Sequence, residues 1–250
     1  MALETHGALG WIDDAGRYTL RSSTQVPFLA RRTLCRIFGL SPEQVRVFAP
    51  RVGGGFGSKQ EVLTEDVVLL VLIRLAERGI SRPVSLELTR TEALTATTTR
   101  HPYRIGVTLG ADDAGRLTAQ QLDILSDTGA YGNHGPGVMF HSAHESMQIY
   151  SAPAKRVSAQ VVYTNNPPSG AFRGYGLSQT LFAVDCAIDE LARQLGRDPL
   201  EFKAANIVGY GEPLFGAGTG APDDDVEVDI RGLQQCLEIM GHQLRTGQLT

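Results

Sequence analysis

The stretch RVGGGFGSKQ, residues 51–60, contains four glycines in five positions, interrupted only by Phe56. It lies between VRVFAP at 45–50, a predicted strand, and an apolar segment that is predicted to form a helix. A tight turn with positive φ explains one or two glycines but not four. We therefore predict that a ligand approaches this loop closely, and that Phe56 is an exposed platform or lid and not a core side chain.

Two familiar nucleotide-binding loops do not match this stretch. The Walker A loop needs Gly before its Lys and Ser or Thr after it, whereas Ser58 precedes Lys59 and Gln60 follows it. The dinucleotide pattern G-x-G-x-x-G fails as well, because its last position falls on Ser58 or on Gln60. The loop therefore indicates a different ligand.

A second glycine loop, GAFRGYGLSQ at 170–179, again places aromatic residues and an arginine among glycines. Arg173 comes immediately before a predicted helix. Backbone N–H groups at a helix N-terminus favour an anion. This loop is therefore a second candidate binding segment.

The rest of the chain alternates predicted strands and helices without an internal repeat, which indicates an α+β fold of mixed or antiparallel sheets with packed helices. Two subdomains are expected to meet near residues 90–100. A long antiparallel hairpin is predicted at 103–131, turning at 112–115. The Gly/Pro/Asp-rich segment at 209–225 is predicted to be a loop. Helices are predicted at 27–38, at 60–78 as a core helix buried all round, at 177–196, after Asp198, and from about Asp229.

Composition excludes several classes of protein. The 250 residues are 42% hydrophobic and 20% charged, as expected of a soluble globular protein. A net charge of −4 without a dense basic run argues against nucleic acid as a partner. The longest apolar run, 67–73, is too short to span a bilayer, so no membrane partner is expected. No export signal is visible at the N-terminus, which favours a cytoplasmic location.

Cysteine and histidine spacing predicts no metal site formed by the protein itself. Cys35, Cys186 and Cys236 are far apart, fit no zinc, iron–sulfur or disulfide pattern, and are predicted to be buried. The histidines at 134, 141 and 144 match neither a zinc finger nor a His-Glu-x-x-His helix. His6 and His101 are predicted to be structural and to donate to backbone carbonyls.

The two glycine loops, in this order, resemble those of the molybdenum-binding large subunit of the xanthine dehydrogenase and aldehyde oxidase family. Further landmarks extend the resemblance over nearly the whole chain, and the Lys-Gln pair after the first loop is similar to bacterial purine hydroxylases. The chain would be a fragment covering the first molybdopterin-binding region. These landmarks are ETHG at 4–7, SSTQ at 22–25, TTRHPY at 98–103, SDTGAYGNHG at 126–135 and YTNNPPSGAFRG at 163–174.

The resemblance implies a role for each matching residue. Gln25 corresponds to the glutamine whose amide hydrogen-bonds an oxo ligand of molybdenum. The metal itself is carried by the pterin, so no protein ligand set is expected. The cofactor-binding set is Gly54, Gly55, Phe56, Gly57, Ala171, Phe172 and Arg173, and the substrate-pocket set is Gln60, His141 and Tyr175.

Two departures leave the substrate open. Gln60 stands where the animal xanthine enzymes have Glu, and His141 falls where they have a substrate-orienting Arg. An amide and an imidazole can still hydrogen-bond a purine edge. The implied reaction oxidises a purine-type N-heterocycle (xanthine or hypoxanthine) or an aldehyde, with water as the oxygen source.

The implied cofactor is molybdenum–molybdopterin, expected in its cytosine dinucleotide form. FAD and 2Fe–2S clusters are expected on other subunits or domains, because this chain has neither the cysteine set nor a dinucleotide fingerprint. The second half of the molybdenum subunit, with its glutamate base, would lie beyond residue 250, so the isolated chain is expected to be inactive. The alternative is a non-catalytic binding module or a degenerate nucleotide-binding domain.

Overall fold

The structure, a computed structural model, describes residues 2–215, 222–227 and 231–247. The chain divides into two compact units. Both combine helices with sheets that contain parallel and antiparallel pairs, which confirms the α+β prediction. Unit 1 comprises Met1–Arg100, Gly129–His134 and Thr164–Arg173, and unit 2 comprises His101–Thr128, Gly135–Tyr163 and Gly174–Thr250.

Unit 1 is built on a four-stranded sheet in the order β3-β2-β1-β4. The β1–β2 and β1–β4 pairs are antiparallel, and the β2–β3 pair is parallel. Its core lies between this sheet and the first two helices. The elements are β1 (Gly7–Ile12), β2 (Tyr18–Ser22), α1 (Pro27–Phe38), β3 (Val45–Phe48), α2 (Glu65–Ala76), β4 (Val84–Glu87) and α3 (Arg90–Ala96).

Helix α2 differs from its prediction in extent and in burial. It begins at Glu65, whose carboxylate accepts hydrogen bonds from the backbone N–H groups of the two preceding residues, Leu63 and Thr64. The prediction of burial all round was wrong, because a helix on one face of a sheet buries only one stripe. Val68, Leu69 and Leu72 are buried, whereas Val67, Leu70 and Val71 are 39–46% exposed.

Unit 2 contains the predicted hairpin, extended by a parallel strand in the order β5-β6-β7. Its core lies between this sheet and helices α4 and α5. The hairpin turn closes through a hydrogen bond from the N–H of Gly115 to the carbonyl of Asp112. The elements are β5 (Tyr103–Ala111), β6 (Leu117–Asp127), α4 (Gly135–Ser146), β7 (Ala154–Val162), α5 (Leu177–Gln194), α6 (Pro199–Asn206), β8 (Pro213–Phe215), β9 (Pro222–Glu227) and α7 (Gly232–Thr246).

Two further predictions need correction in unit 2. The segment 209–225 was predicted to be a loop, but β8 lies within it and pairs antiparallel with β9, which begins in it and extends to Glu227. Cys186 and Cys236 are exposed, and of the three cysteines Cys35 alone is buried. On α5 the buried residues recur every fourth position, at 180, 184, 188 and 192, which places Cys186 on the opposite face.

The start predicted for the last helix, Asp229, lies outside the described residues. Within the part of the chain that the structure describes, no helix is both long enough and apolar enough to cross a membrane.

Candidate functional site

The first glycine loop adopts backbone conformations that only glycine accepts easily. Gly54 and Gly57 both have a φ of 96°, and Phe56 between them has a φ of 53°. A non-glycine residue in the left-handed region stores strain that is tolerated mainly where function requires it. The Phe56 side chain is 50% exposed, so this conformation presents an aromatic ring at the surface.

Gln25 is fixed by this loop. Its side-chain oxygen Oε1 accepts hydrogen bonds from the backbone N–H groups of Gly57 (2.9 Å) and Lys59 (3.3 Å). These two donors decide which end of the amide faces the loop, so the NH₂ end points away from it. A Cβ at Gly55 would lie 2.4 Å from Oε1, so the close approach of Gln25 requires a glycine there.

An ion pair between the buried Lys59 and the partly exposed Glu4 anchors both ends of the loop. The Lys59 side chain is 1% exposed, and its Nζ lies 2.9 Å from Oε2 of Glu4 and 2.6 Å from Oγ of Ser23. The same Glu4 oxygen accepts the N–H of Gly53 at 2.6 Å. Partial burial raises the pKa of Glu4, but the hydrogen bonds from Ser23, Lys59 and Gly53 outweigh it and lower the pKa to about 2. Glu4 is therefore a carboxylate at neutral pH.

The second glycine loop lies directly against the first. Ala171 is fully buried, and a Cβ at Gly57 would lie 2.7 Å from its carbonyl oxygen. The guanidinium group of Arg173 lies 5.7 Å from the centre of the Phe56 ring, within cation–π range. Arg100 donates a 2.7 Å hydrogen bond to the carbonyl of Arg173 and stacks 4.8 Å from the Phe172 ring. The two loops thus form one continuous surface within unit 1.

Glu61, two residues after Lys59, connects further segments of unit 1. Its carboxylate accepts hydrogen bonds from Asn133 Nδ2 (3.0 Å) and Thr98 Oγ1 (3.3 Å), and His134 Nε2 lies 3.4 Å from Oε1. A Cβ at Gly170 would lie 2.9 Å from the same oxygen. The segments around 61, 98, 133 and 170 therefore meet at one carboxylate.

In unit 2, His141 and Tyr175 lie together. The two rings meet edge to face, with centroids 5.2 Å apart and planes at 78°. Nδ1 of His141 hydrogen-bonds the carboxylate of Glu145, one turn further along α4. Tyr175 has a φ of 46° between Gly174 and Gly176, whose φ values are 89° and 97°. As at Phe56, an aromatic residue with positive φ directly precedes a glycine with positive φ.

Close packing supports this arrangement in unit 2. A Cβ at Gly176 would lie 2.6 Å from the carbonyl oxygen of Val138 on α4. A Cβ at Gly137 would lie 3.0 Å from the hydroxyl of Tyr175. Glycines on both sides therefore allow the Tyr175 segment to lie against the helix that carries His141.

The residues that the sequence singles out fall into two groups, one in each unit. Gln60 is partly buried in unit 1, next to Glu61. His6 has the predicted structural contact, its Nε2 donating to the carbonyl of Ser58 at 2.8 Å, and His101 is buried. Unit 1 contains Gln25, Gly54, Gly55, Phe56, Gly57, Gln60, Ala171, Phe172 and Arg173, and unit 2 contains His141 and Tyr175.

Sequence reasoning missed the residues that support the loops. Glu4 and Ser23 belong to the landmark segments ETHG and SSTQ, but no role followed from the sequence for either residue, nor for Lys59 or Glu61. Lys59, which follows the glycines closely, was the available signal. If such a lysine is buried, it requires a carboxylate partner elsewhere in the chain. Among the described residues, no cluster of three His, Cys, Asp or Glu side chains is arranged to bind a metal ion directly.

Comparison with known proteins identifies the family. Residues 1–207 match the family model of the molybdopterin cofactor-binding domain. The chain is 37% identical over 238 residues to the xanthine dehydrogenase molybdenum-binding subunit of Escherichia coli O157:H7, covering 94% of this chain and 30% of that subunit. It is 32% identical over 247 residues to the nicotinate dehydrogenase large molybdopterin subunit of Eubacterium barkeri, covering 97% of this chain and 56% of that subunit.

A solved structure shows the same fold. The aldehyde oxidoreductase from Desulfovibrio gigas superposes with a TM-score of 0.85 at 27% identity, over 98% of this chain and 26% of that enzyme. This chain thus spans between about a quarter and just over half the length of these three proteins. Since the family model covers 207 of the 250 residues, the chain belongs to the molybdopterin cofactor-binding domain family of the xanthine dehydrogenase and aldehyde oxidoreductase enzymes.

Proposed function

We propose that this chain is the first molybdopterin-binding region in the catalytic subunit of a molybdenum hydroxylase. The reaction converts a substrate C–H bond and one water molecule into a C–O–H group, two electrons and two protons. The bound cofactor would supply the oxygen transfer and the two-electron oxidation. The residues of this chain bind the cofactor and orient the substrate.

The observation that carries the proposal is the orientation of the Gln25 amide. Two backbone N–H groups of the glycine loop occupy its oxygen, which leaves its NH₂ group to face away from the loop. Gln25 is exposed, and within the described residues this NH₂ group has no hydrogen-bond partner. A preorganised donor of this kind stabilises negative charge on a bound group without reorganising. An oxo ligand of a bound metal is such a group.

The surface formed by the two glycine loops suits the rest of the cofactor. Gly54 and Gly55 carry no Cβ, which lets a pterin and its phosphate approach the backbone N–H groups there, whereas the N–H groups of Gly53 and Gly57 already donate to Glu4 and Gln25. Arg173 adds a positive charge beside the exposed Phe56 ring. We assign the cofactor-binding role to the residues of these loops, with the cytosine dinucleotide as the form bound.

The proposed substrate is a purine-type N-heterocycle, with an aldehyde as the other candidate class. The Escherichia coli and Eubacterium barkeri relatives carry the names of enzymes that act on xanthine and nicotinate, both N-heterocycles. Tyr175 offers an aromatic ring for a flat substrate, and His141 beside it offers a polar group for the substrate edge. We assign Gln60, in unit 1, to the substrate pocket as well, as a polar amide.

Other parts of the enzyme would complete the site. Because the chain spans 30% of the length of the Escherichia coli subunit, we assign the second half of the cofactor site and the glutamate base to the remainder of such a subunit. FAD and 2Fe–2S clusters would be carried by partner subunits or domains. We expect residues 1–250 alone to retain little molybdenum and to show no turnover, and the remainder to restore both together.

Two variants of Gln25 test the proposal in the assembled enzyme. Gln25→Glu keeps an oxygen that accepts the loop N–H groups but removes the outward donor, whereas Gln25→Ala removes both. Turnover should fall roughly 10- to 1000-fold in each, because one preorganised donor is lost. Molybdenum content should stay near the wild-type level in Gln25→Glu. It should fall in Gln25→Ala, because only that variant loses the hydrogen bonds from the loop N–H groups of Gly57 and Lys59. Wild-type turnover with full molybdenum in Gln25→Glu would disprove the assigned role.

A further inference from the structure

Glu145 and His141 form a carboxylate–imidazole pair on the surface of α4. They are four residues apart, so their side chains lie on the same face of the helix. Nδ1 of His141 bonds Oε1 of Glu145, and the two side chains are 47% and 39% exposed. The pair is thus accessible to a ligand.

The carboxylate decides which ring nitrogen carries the proton. A carboxylate accepts hydrogen bonds and does not donate them, so Nδ1 of His141 must carry the hydrogen. The other nitrogen, Nε2, then has a free lone pair whenever the ring is neutral. Within the described residues Nε2 makes no hydrogen bond. His141 therefore presents a hydrogen-bond acceptor, where an unpaired histidine could present either nitrogen as a donor.

Aromatic rings border this acceptor. Tyr175 meets the His141 ring edge to face, and the Phe140 ring also lies beside it, with its centroid 5.9 Å away and its plane at 81°. Phe140 is 53% exposed and stacks on His144 at 5.4 Å. A flat ligand can therefore contact aromatic surface while its edge reaches Nε2 of His141.

We infer that Glu145 is a positioning residue: it holds His141 as a hydrogen-bond acceptor that favours substrates with a ring N–H over aldehydes. A lactam-type heterocycle has a ring N–H that can donate to Nε2, whereas an aldehyde has no N–H. This inference rests on the proposed function, because it requires His141 to face the substrate.

The first test is spectroscopic and needs no cofactor. Nitrogen-15 NMR of the histidine side chains of this chain at alkaline pH should show the Nδ1–H tautomer at His141. In Glu145→Ala the population should shift to the Nε2–H tautomer. Glu145→Gln should restore the Nδ1–H form only in part, because the amide can either accept from Nδ1 through its oxygen or donate to it through its NH₂ group. The control is Glu190→Ala on α5, an exposed glutamate that should leave His141 unchanged.

The second test measures specificity in the assembled enzyme with hypoxanthine, N-methylated hypoxanthines and benzaldehyde. In Glu145→Ala the KM for hypoxanthine should rise about 2- to 10-fold, the range for one lost hydrogen bond. The KM for benzaldehyde and the kcat for both substrates should change less than about 2-fold. One N-methylated hypoxanthine carries its methyl group in place of the N–H that would donate to Nε2 of His141. Its KM should be high in the wild type, and Glu145→Ala should not raise that KM further.

The outcomes separate the inference from the proposed function. An Nε2–H tautomer at His141 in the wild-type chain would overturn the inference. The inference would also fail if the wild-type chain showed the Nδ1–H tautomer but Glu145→Ala left the ratio of the KM for hypoxanthine to the KM for benzaldehyde unchanged. A molybdenum-loaded wild-type enzyme that oxidises neither substrate would instead defeat the proposed function, and the substrate step of the inference with it.

Discussion

The first glycine loop of unit 1 and the His141–Tyr175 pair of unit 2 share a backbone feature, positive φ at an aromatic residue. Different side-chain contacts hold the two in place. Each presents an aromatic residue with positive φ next to glycines with positive φ. The loop is anchored by Lys59, which is 1% exposed, whereas His141 is held by one carboxylate on a helix surface. The loop geometry is thus coupled to folding, while the His141 contact can change at little cost in stability.

The largest expected effect comes from breaking the anchor of the loop. Glu4→Ala should lower the free energy of unfolding by about 3 kcal/mol, because it leaves the Lys59 ammonium buried beside Ser23 alone. We take the low end of the range for broken buried pairs, since the Glu4 side chain is 39% exposed. Denaturant unfolding followed by circular dichroism measures the change.

Two further variants serve as controls for Glu4→Ala. Glu77→Ala breaks the exposed Arg74–Glu77 pair and should cost less than about 1 kcal/mol. The double variant Glu4→Ala/Lys59→Met removes both charges and should recover much of the stability lost in Glu4→Ala. An equal loss in Glu4→Ala and Glu77→Ala would show that the Lys59 pair does not anchor the loop.

The next largest effect concerns the contact between the two glycine loops. Gly57→Ala should destabilise by roughly 1–3 kcal/mol from backbone strain, because φ is 96°. Its Cβ would also meet the Ala171 carbonyl at 2.7 Å, which a rigid backbone cannot easily relieve. Molybdenum retention in the assembled enzyme should fall as well.

Gly174→Ala is the matched control in unit 2. Its φ of 89° gives similar strain, but the Cβ would meet the Ser178 hydroxyl at 2.2 Å, an atom that a rotamer change can move. Gly57→Ala should therefore cost more than Gly174→Ala in thermal unfolding. The reverse order would contradict a rigid contact between the two loops.

Low pH should weaken the ion pair between Glu4 and Lys59 over a defined pH range. The pKa of Glu4 is about 2 in the folded chain, against 4.5 for an unperturbed glutamate. Its contribution to stability is therefore fully present above pH 4.5 and is lost as the pH falls from 4.5 through 2. Stability curves of the wild type and Glu4→Gln should converge over this window. Parallel curves from pH 6 to 2 would refute a lowered pKa at Glu4.

Local signals in the sequence predicted the elements whose ends are encoded nearby. Pro27 opens α1 and Gly39, with a φ of 64°, closes it, as expected. Strand β1 was not predicted. It lies between β2, its neighbour in the sequence, and β4, and its pairing with β4 joins Gly7 to Glu87, so no local pattern contains both of its partners. The one-sided burial of α2 was missed for a similar reason: its apolar composition does not reveal which face meets the sheet.

The candidate site likewise contains parts that local sequence patterns predicted and parts that they did not. Glycine patterns identified both loops, because positive φ constrains residue type at the position itself. The anchoring network joins residues that are 19 to 55 positions apart, so no local pattern contains it. His141 and Glu145 are four residues apart, a spacing that brings two side chains together on a helix. Spacing alone did not reveal that this segment would be a regular helix.

The smallest expected effect is on stability at His141. His141→Ala should change the free energy of unfolding by less than about 0.5 kcal/mol, because the side chain is 47% exposed and its hydrogen-bond partner Glu145 can be solvated instead. Combined with Gln60→Ala, it should still shift the preference between purines and aldehydes in the assembled enzyme, since the proposed function assigns both side chains to the substrate pocket. Denaturant unfolding and paired KM measurements separate the two effects. A loss of more than 2 kcal/mol with unchanged substrate ranking would mean that His141 supports the fold of unit 2, and the contrast with the anchored glycine loop would fail.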